Sequence, residues 1–203
     1  MDQITKQNLA KFFSEIGMFH RQTLSGPVLA GLPFPEYLSP HIVRACQIAH
    51  VLAFLEQADP QKTVCLVLFH DNAELRTGDQ NKISSRYWDK KDGEQKALEE
   101  QVSNLPKEIA DRILAYQAEF DHRNTREGIV AKDAEWLATA IRAKELSEQG
   151  FAMQNWIDNV AKALETESAK ELLEYIRTQD DFTNSWWQGL KKMTYQKLEN
   201  KNE

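Results

Sequence analysis

The chain is poor both in residues that break helices and in residues that staple small folds: 203 residues contain 8 glycines, 6 prolines and 2 cysteines. Scarce glycine and proline, among long runs of Ala, Leu, Glu, Lys and Gln, exclude collagen-like and low-complexity classes and disfavour a turn-rich sheet protein. Cys46 and Cys65 each lie inside a helical apolar pattern without CxxC spacing, which predicts buried free thiols rather than a disulfide or a zinc-thiolate site. There is no Lys/Arg cluster and the net charge is −6, so the basic stripe that neutralises a nucleic-acid backbone is missing. No apolar run approaches the length that spans a bilayer, and the first residues lack the apolar core of a secretion signal, so no membrane partner and a cytoplasmic location are expected. No internal repeat, linker or βαβ rhythm interrupts residues 1–203, which predicts one domain.

What is present is helical periodicity. With 41% hydrophobic and 28% charged residues, the composition suits an all-α, single-domain helical bundle. Helices are predicted over Ile4–Gly17, Ser39–Gln57 with Ser39 as N-cap and Pro40 at the first helical position, Gln95–Ser103, Lys107–Glu119 and Ile129–Gln149. Further helices are predicted over Met153–Leu164, Ser168–Thr178 behind a Ser168/Glu171 capping box, and Phe182–Leu198, with Trp186 and Trp187 packing on the body. Met18–Leu38 is a Pro/Gly-rich connection of a length that is often functional. Residues 79–96 read as a polar loop or short helical excursion, either a solvated charge run or a source of Lys82 or Arg86 for an anion.

The most informative stretch is Val64 to Asp79, where an apolar run passes directly into His70-Asp71, followed by Glu74 and then Thr77-Gly78-Asp79. The run is too unbroken for a surface helix, so Thr63 to about Arg76 is predicted to be a central helix stopped by Gly78. Ionisable groups at its end need partners: a buried unpaired carboxylate costs several kcal/mol or protonates, whereas a cation holds both His70 and Asp71 in their ligating forms. A solvated, frayed helix end is the other reading of this stretch alone. His41 heads a stripe with Ala45, Ile48, Leu52 and Leu55, which turns it inward as a metal ligand or as a core histidine bonded to a carbonyl. Asp133 lies four residues from both Ile129 and Leu137, inside the apolar stripe of its helix or as an acid favoured by the helix dipole.

Taken together, His41, His70, Asp71 and Asp133 share inward-facing positions. Two imidazoles and two carboxylates without a thiolate suit one divalent ion, manganese, iron, cobalt, nickel or zinc, with positions left for water and substrate. The order His…His-Asp…Asp resembles the HD-domain metal-dependent phosphohydrolases. His70-Asp71-Asn72-Ala73-Glu74-Leu75-Arg76-Thr77-Gly78-Asp79 is similar to the H-D-x-x-E-x-x-T-G-D signature of their 5′-deoxynucleotidase branch. Val130-Ala131-Lys132-Asp133-Ala134-Glu135 resembles the K-D-A-D segment, and Phe12 to Thr23 resembles the family's first helix and K-R-T turn.

The resemblance, from about Leu9 to Gly150, implies a helical fold with a metal-binding core over 9–150 and C-terminal helices over 151–203 packed on it. It implies a phosphomonoesterase acting on small-molecule (deoxy)nucleoside 5′-monophosphates, one divalent ion (magnesium included) and a homodimer. It makes Glu74 and Asp79 the catalytic acids, Glu74 orienting water on the phosphate side and Asp79 moving a proton, with Arg21 contacting phosphate and Gln22 near the sugar. Two positions depart from the pattern: Pro40 replaces the acid that usually precedes the first histidine, and Leu24 replaces the second arginine of the substrate turn. Other readings are an HD enzyme for a cyclic nucleotide, a nucleoside triphosphate or another phosphate ester, and a metal-retaining binding module without turnover.

Overall fold

The protein is described here from a computed structural model covering residues 1–190. Among these residues the fold is all-α, and the one β feature is an isolated antiparallel bridge between Thr23 and Tyr37. The helices are α1 (Gln3–Glu15), α2 (Leu38–Leu55), α3 (Pro60–Phe69), α4 (Glu74–Thr77), α5 (Lys90–Val102), α6 (Lys107–His122), α7 (Arg126–Glu148), α8 (Gln154–Ala163) and α9 (Glu167–Thr178).

The core forms where α2, α3 and α7 meet. Ala45, Ala49 and Leu52 of α2, Leu66 and Val67 of α3, and Val130, Ala134 and Leu137 of α7 are buried there, and small alanines let the helix axes approach closely. Ile157 and Val160 of α8, with Ala169, Leu173 and Ile176 of α9, extend the same cluster, so the C-terminal helices share this core. A second cluster joins α5 and α6 around Leu98, Val102 and Ile113.

The central stretch differs from the single helix expected over Thr63–Arg76. Asp59 caps the amides of Gln61 and Lys62, and Pro60 occupies the first helical turn, so α3 starts earlier. It also ends earlier, at Phe69. His70 to Ala73 form a tight turn in which Asn72 N–H donates to the Phe69 carbonyl and Glu74 N–H to the Asp71 carbonyl, before α4 resumes and Gly78 stops it at φ +74°.

Four other expectations change. α2 begins at Leu38, behind Tyr37 rather than Ser39, because Leu38 N–H is already bonded to the Gln22 carbonyl. α9 is capped by Thr166 instead of the Ser168/Glu171 box, since Ser168 N–H donates to Glu56 Oε1 from α2's end at 3.0 Å. Among the described residues after α9, Phe182–Asn184 form a 3₁₀ turn and Trp186 is 74% exposed; the end of the predicted Phe182–Leu198 helix lies outside the described residues. Finally, α2 is long and apolar enough to cross a membrane by length and composition, contrary to the sequence reading, yet here it lies between α3 and α7.

Candidate metal centre and active site

His41 sits in the first turn of α2 and is 5% exposed; His70 caps the C-terminal end of α3, and Asp71 follows in the turn. Ligand atoms of these three side chains all lie within 4.8 Å of one another, and the imidazole centroids are 6.0 Å apart. His70 Nδ1 donates to the Val67 carbonyl at 2.6 Å and directs Nε2 at Asp71 Oδ1, 3.0 Å away, where Nε2 donates when protonated and offers a lone pair to a metal when neutral. Phe120 of α6 packs against the His70 ring at 4.8 Å. Breaking the helix at His70 is what allows His70 and Asp71, adjacent in sequence, to face one point.

His70 and Asp71 also pair with each other. Burial opposes the His70 imidazolium, but the Asp71 carboxylate outweighs it and raises the pKa to about 9. Burial likewise disfavours charge on Asp71, and the His70 charge and hydrogen bond overcome it to hold that pKa down. An acid and a base that share a proton in this way are a donor set ready to exchange it for a metal.

Asp133 is not part of the cluster. It is fully buried, and its carboxylate accepts Glu165 N–H at 3.1 Å, Thr166 N–H at 2.6 Å and Thr166 Oγ1–H at 2.6 Å. Those bonds anchor the start of α9. Burial raises its pKa even against them. Glu135, two residues on, lines the cavity with His41, His70 and Asp71. Its Oε2 is buried without a hydrogen-bond acceptor role to any described donor apart from the Lys132 ammonium at 3.0 Å. Burial raises the Glu135 pKa, but Lys132 and the charges of His70 and His41 lower it overall. The Lys132-Asp133-Ala134-Glu135 segment carries both acids, and periodicity along α7 does not say which of them faces the histidines.

Glu74 and Asp79 line the same cavity. Glu74 is 5% exposed; burial and the nearby Asp71 and Asp79 charges push its pKa to about 8, against the pull of Lys90. Lys90 Nζ lies 2.9 Å from Glu74 Oε1 and 3.1 Å from Glu94 Oε1, so this part of the charged stretch is an ion-paired helix start rather than a solvated loop. Asp79 Oδ2 accepts Ser25 N–H at 2.5 Å. Asn72 and Gln101 brace the turn from behind, with Asn72 Nδ2 donating to Gln101 Oε1 at 3.0 Å and Gln101 Nε2 to Glu15 Oε1 at 3.1 Å. Arg21 and Gln22 do not line the cavity: Arg21 is exposed beside Met18, and Gln22 packs against Gly78. The cations that do line it are Lys82, Lys90, Lys132 and Arg142.

The fold and the His, His-Asp arrangement define the class of helical metal-dependent phosphohydrolases. A family model described as the HD domain matches residues 26–178, and the chain belongs to that family. It is 26% identical over 160 residues to the 5′-deoxynucleotidase HDDC2 of Dictyostelium discoideum, covering 74% of this chain and 83% of that one. A conserved hypothetical protein from Pyrococcus furiosus superposes with a TM-score of 0.70 at 22% identity, over 84% of this chain and 99% of the other. A crystal structure described as a predicted metal-dependent phosphohydrolase from Magnetospirillum magnetotacticum gives 0.69 at 19%, over 86% and 94%.

Proposed function

We propose that the protein removes the 5′-phosphate of (deoxy)nucleoside monophosphates. The observation that carries this reading is that Glu74 and Asp79 open onto the same cavity as His41, His70 and Asp71, so an acid-base pair and a metal donor set share one space. Similarity to a 5′-deoxynucleotidase supports the substrate class.

His41, His70 and Asp71 fit a divalent ion, with Glu135 as the fourth donor in place of Asp133. Such an ion supplies charge that lowers the pKa of bound water and withdraws density from a phosphoryl oxygen. Glu74 holds or moves the proton: burial has already lifted its carboxyl toward neutrality, where a general acid-base works best. Lys90 fixes the orientation of Glu74. Asp79, with one oxygen committed to Ser25 N–H, orients the water or the leaving 5′-oxygen, which reverses the roles the resemblance implied. In place of Arg21, Lys82 of the cavity lining meets the phosphate charge, since Lys90 and Lys132 are held by Glu74, Glu94 and Glu135.

The test is phosphate release from nucleoside and deoxynucleoside 5′-monophosphates by protein stripped of metal and refilled separately with manganese, cobalt, magnesium or zinc. Metal-dependent release that favours deoxy substrates is expected, and Glu74→Gln should abolish it while metal stays bound. Silence across the panel from metal-loaded protein would overturn the reading.

A further inference from the structure

The cavity is larger than the phosphate chemistry requires. Its volume is about 520 Å³, within the range that encloses a whole small-molecule ligand, and it runs from the His/Asp cluster to α8. The two ends differ in chemistry. On the α8 side its lining is Met153, Trp156 and Val160, with Asn155 and Asn159 on the same helix. Arg142, which also lines the cavity, is paired with Glu36 Oε2 at 3.4 Å and Glu145 Oε2 at 3.0 Å.

One segment spans both ends. Ser25 N–H holds Asp79, and the next residue, Gly26, lies against Trp156 so closely that a Cβ built on it would stand 3.4 Å from the indole Nε1. The strap that carries Ser25 and Gly26 therefore touches both Asp79 and the indole. On α8, Asn155 and Asn159 are one turn apart, next to Trp156, and both are exposed. Neither amide hydrogen-bonds to another described side chain, so each keeps a donor and an acceptor to offer.

The α8 part of the lining, an indole and apolar side chains beside two free amides, matches a heteroaromatic ring with hydrogen-bonding edges. We infer that the α8 end of the cavity, built on Trp156, Asn155 and Asn159 under the Ser25-Gly26 strap, is the subsite for the nucleobase of the leaving nucleoside. This inference rests on the nucleotidase reading above and gives it a specificity element. Trp156 supplies the stacking surface and the asparagines meet the ring edge. The compartment accommodates a base and disfavours a polyphosphate or a second charged group.

Two measurements on the full-length, metal-loaded protein test it. The first compares kcat/KM for a deoxynucleoside 5′-monophosphate with that for 2-deoxyribose 5-phosphate, which has the same phosphate and sugar but no base. The ratio should fall about tenfold in Trp156→Ala, the scale of a lost base-aromatic stack. It should fall several-fold in Asn159→Ala, an exposed position where the change leaves folding intact. The second is equilibrium dialysis of thymidine and deoxyadenosine, which lack the phosphate and need only the subsite. Binding to the parent and weakening in both variants support the subsite even if no nucleotide is hydrolysed, an outcome that would remove the nucleotidase reading alone. Nucleotide hydrolysis with an unmoved ratio, and nucleoside binding indifferent to both substitutions, would overturn the subsite alone.

Discussion

At the scale of single residues, the site turns on which acid faces which way. Asp133 and Glu135 are two positions apart on α7, about 200° around the helix, so they cannot serve the same point. Asp133→Ala should cost roughly 2–4 kcal/mol of stability in urea denaturation, because the buried Thr166 N–H and hydroxyl and the part-buried Glu165 N–H lose their acceptor, while metal affinity stays at the parent's value. Glu135→Gln should do the opposite, weakening metal binding about tenfold or more by calorimetric titration with little change in stability. Equal metal affinities in the two variants would sink the assignment.

Lys90 makes a separate point at this scale. It lowers a Glu74 pKa that burial and the neighbouring carboxylates raise to about 8. Lys90→Met removes that pull, so Glu74 should hold its proton to still higher pH. The acid limb of the kcat/KM profile should move to higher pH and turnover at pH 7 should fall about tenfold, whereas Lys90→Arg keeps most of the activity. A profile that does not move would show that Lys90 only packs. Nothing in a Lys-Lys-Asp-Gly-Glu run announces such a partner, since the pairing depends on α5 lying beside α4.

At the scale of elements, periodicity exposed the helices well, and the errors fall at their ends. Caps are short-range only when the donor's partner is local. The amides at the start of α9 bond to Asp133 and Glu56, 33 and 112 residues away in sequence, so a local Ser-x-x-Glu signal could not compete with them. The α6–α7 junction shows the same dependence on neighbours. Gly128 is buried where a Cβ would lie 2.8 Å from the Glu119 carbonyl oxygen, and backbone cannot yield as a flexible side chain can. Gly128→Ala should therefore destabilise the protein by about 1–3 kcal/mol in urea denaturation, despite alanine's better helix propensity. This junction also carries Phe120 to its place against His70.

At the scale of the whole molecule, the metal-free protein carries an acid and a base whose folded pKa values are both raised. The unfolded chain loses the Glu74 proton near 4.5 while the folded chain keeps it to about 8, so across that window ionisation favours unfolding as pH rises. His70 contributes stability that is full below 6.5 and lost as pH rises through about 9. The two effects have the same sign. The melting temperature of metal-free protein should fall between pH 6 and pH 9. Saturating manganese should raise it at pH 7.5 by about 5–10 °C, the consequence of about 2.7 kcal/mol at one hundred times Kd in a chain of this size. A metal that binds without raising the melting temperature would place the ion outside this site.

The sequence alone determined the helical class, through its scarcity of glycine and proline and its 3.6-residue apolar period. It also turned His41 inward, through the apolar stripe that follows it, and marked His70, Asp71, Glu74 and Asp79 as a group through the motif they form. What it could not determine is the inward direction on α7, which packs against α2, α3, α6, α8 and α9. On a helix covered from several sides, two opposite faces are both interior, and an acid on an apolar stripe can serve either. Only the tertiary arrangement turned Asp133 to the start of α9 and Glu135 to the histidines. It alone joined Lys90 to Glu74, and it brought α8 and the strap together at the far end of the cavity.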